Sequence, residues 1–340
     1  MVTFMSVVRA IHLAACMLLF GNVFFRLFVA CPVFTGANKD LRFRTFDSLN
    51  GRFRMLTAWS LAVSLSSGFL WAWIVAARMG GGSLISALHP ASLGTLLEST
   101  QFGRIWEARL ALSIGFVALF VVKSQRTQFA QLLLAVAMLA TLSFAGHAGA
   151  SIGKGHWVHL INDSFHLIAA GVWPAELAPF AIFLAETLHT NQPYEIPVAA
   201  LCTQRFSFIS LVTVGALAIT GAVNGYFLVG TFHGLIATIY GRLLMLKVAV
   251  FSVMVTIGAL NLLLLRPRIV IAVQSAALGE SLTLLRLLRR NVMVELSLGA
   301  ILMILVGVLG VTPPAAHQYM SGNIPHLDNH TASVQALKDL

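Results

Sequence analysis

The chain has 340 residues, of which 58% are hydrophobic and only 10% charged, whereas a soluble domain carries roughly a quarter charged residues. So few charges cannot cover a water-soluble surface, which excludes a soluble enzyme. The net charge of +10 would suit nucleic acid, but the positions of the basic residues give it another meaning.

Crossing the hydrocarbon takes roughly 20 apolar residues per helix. Runs of that kind occupy 2–31, 55–77, 105–122, 129–147, 158–188, 206–229, 243–265 and 292–311, predicting an all-α polytopic membrane bundle of about eight transmembrane helices. In the first run, His12 and Cys16 stand one turn apart with Met17 beside them. Imidazole, thiolate and thioether together suit copper(I), although Cys and Met in an apolar helix also serve plain packing. The third run opens after Thr100-Gln-Phe-Gly-Arg104 and contains Glu107 and Arg109, which read as ion-pair partners. The fourth ends at His147.

The fifth run is the richest. His156, His159, Asp163 and His166 are spaced by three, four and three residues, which puts them on one helical stripe. They descend about 15 Å, too far for one ion to touch all of them and suited to stepwise hand-over. Further along, Pro174 and Pro179 each remove a backbone donor and free a carbonyl inside the membrane. Glu176 lies about 15 Å beyond His166 and either extends a polar path toward the cytoplasm, or bonds a neighbouring helix or stays protonated. The seventh run follows Thr238-Ile-Tyr-Gly-Arg242 and contains Lys247. After Pro313-Pro314 a polar tail carries His317, Met320, His326, Asp328 and His330, a composition that fits disorder or loose metal capture. The three cysteines, Cys16, Cys31 and Cys202, show no paired spacing, so no disulfide framework is implied.

Thirteen basic residues, among them Lys39, Arg42, Arg52, Arg126, Arg205, Arg266 and Arg290, fall in one alternate set of loops, and five fall in the other set and the tail. The positive-inside rule makes the first side cytoplasmic, so both termini face outward.

The second half of the chain echoes the first. Thr100-Gln-Phe-Gly-Arg104 with Arg109 matches Thr238-Ile-Tyr-Gly-Arg242 with Lys247; Arg52-Phe53 stands sixteen residues before Gly68, as Arg205-Phe206 stands sixteen before Gly221; His12-Leu-Ala-Ala aligns with His166-Leu-Ile-Ala-Ala. The expected organisation is two parallel four-helix repeats, 1–147 and 148–312, followed by a tail, 313–340. Parallel repeats are related by an axis along the membrane normal, which sets His12 and His166 at similar depth. They then offer one centre with Cys16, or an axial pair for a single haem b. No phosphate-binding loop, Cys-x-x-Cys pair or His-Glu-x-x-His motif occurs.

At Gly146-His-Ala-Gly149, at His159, Asp163 and His166-Leu-Ile-Ala-Ala-Gly-Val-Trp173, at Arg205-Phe-Ser207 with Thr220-Gly221, and at Thr238-Ile-Tyr-Gly-Arg242 with Lys247, the chain resembles the CopD/PcoD copper-resistance family. The resemblance implies a non-enzymatic, multi-pass protein of the bacterial inner membrane, embedded in lipid and served by a periplasmic copper-binding protein of the CopC type. Such a protein moves copper from periplasm to cytoplasm; a homodimer is compatible with it. Carried over, the resemblance favours His12, His147, His159, Asp163 and His166 as the metal set. The chain departs from the family's pattern after Trp173, where Pro174-Ala-Glu176 replaces a Gly-Gly pair. Copper transport is thus the first expectation, a cytochrome b-like electron carrier the second, and a copper-holding assembly factor the third.

Overall fold

The computed structural model describes residues 2–36, 39–80, 90–122, 126–146, 149, 155–190 and 192–316. Within them the chain is helical, without strands. The helices are α1 (Val2–Phe24), α2 (Cys31–Gly36), α3 (Lys39–Met79), α4 (Pro90–Ser99), α5 (Gln101–Val121), α6 (Thr127–Phe144), α7 (His156–Thr190), α8 (Glu195–Val229), α9 (Phe232–Ala237), α10 (Ile239–Leu260), α11 (Arg266–Gln274) and α12 (Leu278–Leu309). Wide π turns at Phe25–Ala30 and Asn261–Leu265 join α1 to α2 and α10 to α11.

Among the described residues seven helical segments are long and apolar enough to span a bilayer: Thr3–Phe34, Ser48–Met79, Thr127–Phe144, His156–Thr190, Glu195–Val229, Ile239–Gln274 and Leu278–Leu309. The eighth expected span is α5, a 21-residue helix that keeps Arg104, Glu107 and Arg109 in its first three turns. Several helices outrun the apolar runs that announce them. α3 starts at Lys39 rather than near 55, and α12 at Leu278 rather than near 292. Hydropathy stops where charges begin, but the helical hydrogen-bond ladder continues into the polar zone wherever no Pro or Gly stops it.

Two threonines start long helices in the same way. The Thr100 hydroxyl accepts from the Gly103 N–H at 2.9 Å, and the Thr238 hydroxyl accepts from the Gly241 N–H at 3.0 Å; each side chain satisfies one of the orphan donors at a helix N-terminus. Each glycine is needed because the preceding short helix folds back onto it. A Cβ would lie 2.2 Å from the Leu96 carbonyl oxygen at Gly103, and 2.2 Å from that of Leu235 at Gly241.

α1 and α7 form the centre. At their crossing a Cβ on Gly21 would stand 2.7 Å from the Gly171 carbonyl oxygen and 2.8 Å from the Ala175 Cβ, so only glycine permits this approach. Small residues at crossings are how membrane helices gain packing, since burial of apolar surface from lipid drives nothing. α12 crosses α1 likewise, with Gly307 against the Ser6 carbonyl and Ala10. One apolar cluster joins α1, α3, α6 and the Val172–Ala175 side of α7. The other joins the Phe25 turn, the Trp173–Phe180 side of α7, α8 and α12. Outward apolar side chains such as Phe208, Ile219, Leu263 and Ile304 make the lipid-facing surface expected of a bundle.

Candidate functional site

His12 is 3% exposed and turns from α1 toward α3 and α5. Its Nδ1 lies 3.0 Å from the Ser64 carbonyl oxygen and 3.1 Å from the Ser67 hydroxyl. A carbonyl only accepts, and the Ser67 hydroxyl already spends its hydrogen on the Val63 carbonyl at 2.5 Å. The hydrogen of the neutral ring is therefore on Nδ1, and Nε2 holds the lone pair. That lone pair is occupied: Arg109 on α5 donates to it from Nη2 at 2.8 Å. The same nitrogen donates to Cys16 Sγ at 3.2 Å, while Nη1 donates to the Met138 carbonyl at 2.5 Å and the Thr141 hydroxyl at 2.7 Å. Cys16 Sγ also lies 3.1 Å from the Ser64 hydroxyl. Arg109 is thus the hub of a buried network joining α1, α3, α5 and α6. Beside it a crevice of about 20 Å³, lined by His12, Ser64, Gly68, Trp106 and Arg109 among others, has room for about one water.

His166 is built on the same plan with one difference. Its Nδ1 lies 2.9 Å from the Thr220 hydroxyl, whose own hydrogen goes to the Ala216 carbonyl at 2.7 Å. This ring too carries its hydrogen on Nδ1. A Cβ on Gly221 would sit 3.5 Å from its Cε1, as one on Gly68 would sit 3.2 Å from the His12 Cε1. Among the described residues no guanidinium reaches the Nε2 of His166. Lys247 on α10 interacts electrostatically with both Asp163 and His166 but stands beyond direct ion-pair distance.

Asp163, one turn nearer the start of α7, accepts from Asn224 at 3.0 Å; Asn224 in turn accepts from Asn162 at 2.8 Å, and Asn162 also donates to the Thr220 carbonyl at 2.9 Å. His159, another turn up, is 3% exposed and stacks on Phe227 with ring centroids 4.8 Å apart. The stripe His159, Asp163, His166 therefore faces the stripe Phe227, Asn224, Thr220 on α8, rung by rung. His156 lies against Trp157.

The structure does not bring all the expected residues together. His12 pairs with Cys16 as the spacing suggested, at 3.7 Å, but it is not joined by His166. The first ring looks to α3 and α5 and the second to α8, because α1 and α7 meet through small residues and present their polar stripes elsewhere. Among the described residues no group of three His, Cys, Asp or Glu side chains converges on one metal-sized point. His12, Cys16 and His166 therefore do not make such a group among the described residues, and nothing in the geometry supports the haem reading. Glu107 is exposed on α5, away from Arg109's network. Glu176 is fully buried, and neither of its oxygens has a hydrogen-bond partner. His147 and the tail residues His317, Met320, His326, Asp328 and His330 lie outside the described residues.

Residue spacing did not reveal the Arg109 hub, the Thr220 and Asn224 partners, or a third polar group. In that group Asn261 donates to Glu295 at 2.8 Å and accepts from Asn291 at 2.7 Å. The one available signal was the match of Ser67-Gly68 with Thr220-Gly221, each a hydroxyl followed by glycine.

Comparison with known proteins places this geometry. Residues 1–157 match the family described as copper resistance protein D-like, N-terminal domain, and residues 200–309 match copper resistance protein D. The chain belongs to the copper resistance protein D family. Copper transport protein CutJ of Bacillus subtilis is 30% identical over 266 residues, 76% of this chain but 46% of CutJ, so the chain spans less than half of that relative. Copper resistance protein D of Pseudomonas syringae pv. tomato is 29% identical over 247 residues, 70% of this chain and 76% of that protein. Inner membrane protein YebZ of Escherichia coli is 28% identical over 262 residues, 76% of this chain and 83% of YebZ. No solved structure matches the chain. Two segments of the family resemblance, around His166 and around Thr238, coincide with the α7–α8 ladder and the capped start of α10.

Proposed function

We propose that this member of the copper resistance protein D family carries copper across the bacterial inner membrane, from periplasm to cytoplasm, in the service of copper homeostasis. The observation that carries the reading is the His166 ring. Its Nδ1–H is fixed by Thr220 and, among the described residues, its Nε2 lone pair meets no protein donor, with Asp163 one turn away on the same face. An imidazole oriented through its other nitrogen is how proteins prepare a metal ligand. An ionisable stripe inside a bilayer marks a substrate path more often than a structural clamp. The cargo enters past His159 and descends toward His166, about 10 Å along α7. His12 serves a different purpose: with its lone pair held by Arg109, it fastens α1 to α3 and α5. The basic loops orient the ladder toward the periplasm, where a copper-binding protein of the CopC type is the expected donor.

Purified protein reconstituted in liposomes and given radioactive copper tests this. Wild type accumulates the metal, and His166→Ala and Asp163→Asn do not. Equal accumulation by wild type and both variants overturns the proposal.

A further inference from the structure

Glu176 lies ten residues beyond His166 and ten before Glu186, about 15 Å from each along α7. Both neighbouring polar levels are matched. His166 has Thr220, and Glu186 takes the Arg52 guanidinium at 2.8 Å and the Ser48 hydroxyl at 2.7 Å. Between them Glu176 has 0% exposure, and both of its carboxyl oxygens are without a hydrogen-bond partner. One turn away on either side its helix offers only Val172, Trp173, Pro179 and Phe180, all buried.

Among the described residues no counter-charge reaches it from the packed elements. On α1, His12 and Cys16 engage Arg109, and Arg26 donates to Asn50. On α3, Arg52 holds Glu186 and Arg54 lies over Phe120. The polar side chains of α6 that face inward are Gln128, Gln131 and Ser143, none of them titratable. On α8, Arg205 donates to the Phe28 carbonyl, and Cys202 is buried in the apolar cluster. From α10, Lys247 sits with Asp163, about 20 Å up the helix. From α12 the group at this level is another acid, Glu295. A Cβ on Gly258 would touch both Glu295 Oε2, at 3.8 Å, and Trp173 Cζ2, at 3.7 Å, which places Glu295 across from the turn preceding Glu176.

A carboxylate ion with neither donor nor cation, sealed in hydrocarbon, is costly by many kcal/mol, and the neutral acid is the form such a site holds. A metal is a poor occupant. A single oxygen ligand with no imidazole or thiol in its helical turn does not suit soft copper, and among the described residues no three ligands converge there. Pro179 also removes the N–H that would bond the carbonyl of Ala175, leaving an acceptor beside Glu176 along the chain.

We propose that Glu176 is a proton-carrying site in the half of the bundle nearer the basic loops, and that the proton is the ion coupled to copper movement. The second clause rests on the transport reading above; the first does not. Loading forms an O–H bond on one carboxyl oxygen, and unloading breaks it and releases the proton to the opposite side, with no change in electron count. Glu295, bonded to Asn261 and through it to Asn291, is the neighbouring acid on the same level.

Infrared spectra of the full chain in liposomes at neutral pH, in water and in heavy water, test the site. The expected result is a protonated-carboxyl C=O band, sensitive to deuterium, that is lost in Glu176→Gln and kept in Asp163→Asn and Glu295→Gln. Glu176→Asp restores it at a shifted frequency. A wild-type spectrum without that band, or a band that survives Glu176→Gln, overturns the site. Coupling is read from copper accumulation under an imposed pH gradient. The wild-type ratio changes about tenfold per pH unit for one coupled proton, whereas Glu176→Gln is indifferent to the gradient. Wild-type transport that ignores the gradient overturns the coupling. Absence of any copper flux in wild type defeats the transport reading and leaves the infrared result to decide the proton site.

Discussion

Replacing His12 and His166 separately by alanine should have opposite consequences, although the two rings occupy matching positions in the sequence. In His12→Ala the ring that joins α1 to Ser64, Ser67 and Arg109 is lost. The Arg109 guanidinium then keeps Met138, Thr141 and Cys16 but loses a charged hydrogen bond, worth about 1.5–3 kcal/mol. The void left by the buried ring adds about 1–2 kcal/mol. Together these give about 2.5–5 kcal/mol, or roughly 4–7 °C of thermal midpoint for a chain of this size. In His166→Ala one neutral hydrogen bond disappears, and Thr220 keeps its bond to Ala216, so the cost is about 1 kcal/mol. Tryptophan fluorescence during heating in detergent, paired with equilibrium dialysis against copper, separates the two effects. His12→Ala should melt early yet bind copper when cold, and His166→Ala should melt nearly as wild type yet bind far less. A stable His12→Ala that has lost copper, or equal behaviour of both variants, refutes the reasoning from lone pairs.

Thr220→Val removes the hydroxyl that orients His166 while keeping its volume, and copper affinity should fall about 10-fold to 100-fold in the same dialysis. Gly103→Ala and Gly241→Ala each place a methyl group 2.2 Å from a carbonyl oxygen; each should cost several kcal/mol, about the range of overpacked cores or more, and limited proteolysis should cut first near the affected junction. Thr238→Val, which deletes only the cap, should cost about 1 kcal/mol and leave that cleavage pattern unchanged. Arg52→Ala should lower the thermal midpoint only slightly, under about 1 kcal/mol, because the Arg52 side chain is 53% exposed and Ser48 still bonds Glu186.

The helices themselves were legible because membrane spans announce themselves by apolar length, and the stripe of His159, Asp163 and His166 because helical periodicity is fixed. The threonine and glycine of Thr100-Gln-Phe-Gly-Arg104 carried a cap that local rules recover. What failed was the rotation of one helix against another. From His12 onward α1 carries buried or half-buried residues all round, so no polar face tells which side meets α7; reading His12 and His166 as one centre assumed they pointed inward. The side chain that decides the matter, Arg109, is 97 positions from His12 and belongs to a helix whose charges resemble interfacial ones. Glu295 was overlooked for the same reason: its partner Asn261 sits 34 positions away, beyond the reach of any single-helix pattern.

The two π turns add a mechanical property to the static picture. Each holds one residue more than an α turn, and such a surplus can pass along a helix by trading an i→i+5 bond for an i→i+4 bond one step at a time. As it passes, each residue swings by about 100° around the rod axis while the count of backbone bonds stays constant. Phe25–Ala30 lies below the Gly21 crossing, and Asn261–Leu265 begins at the partner of Glu295. Torsion of either rod can therefore turn side chains past a neighbour without unwinding the helix or exposing its backbone to lipid.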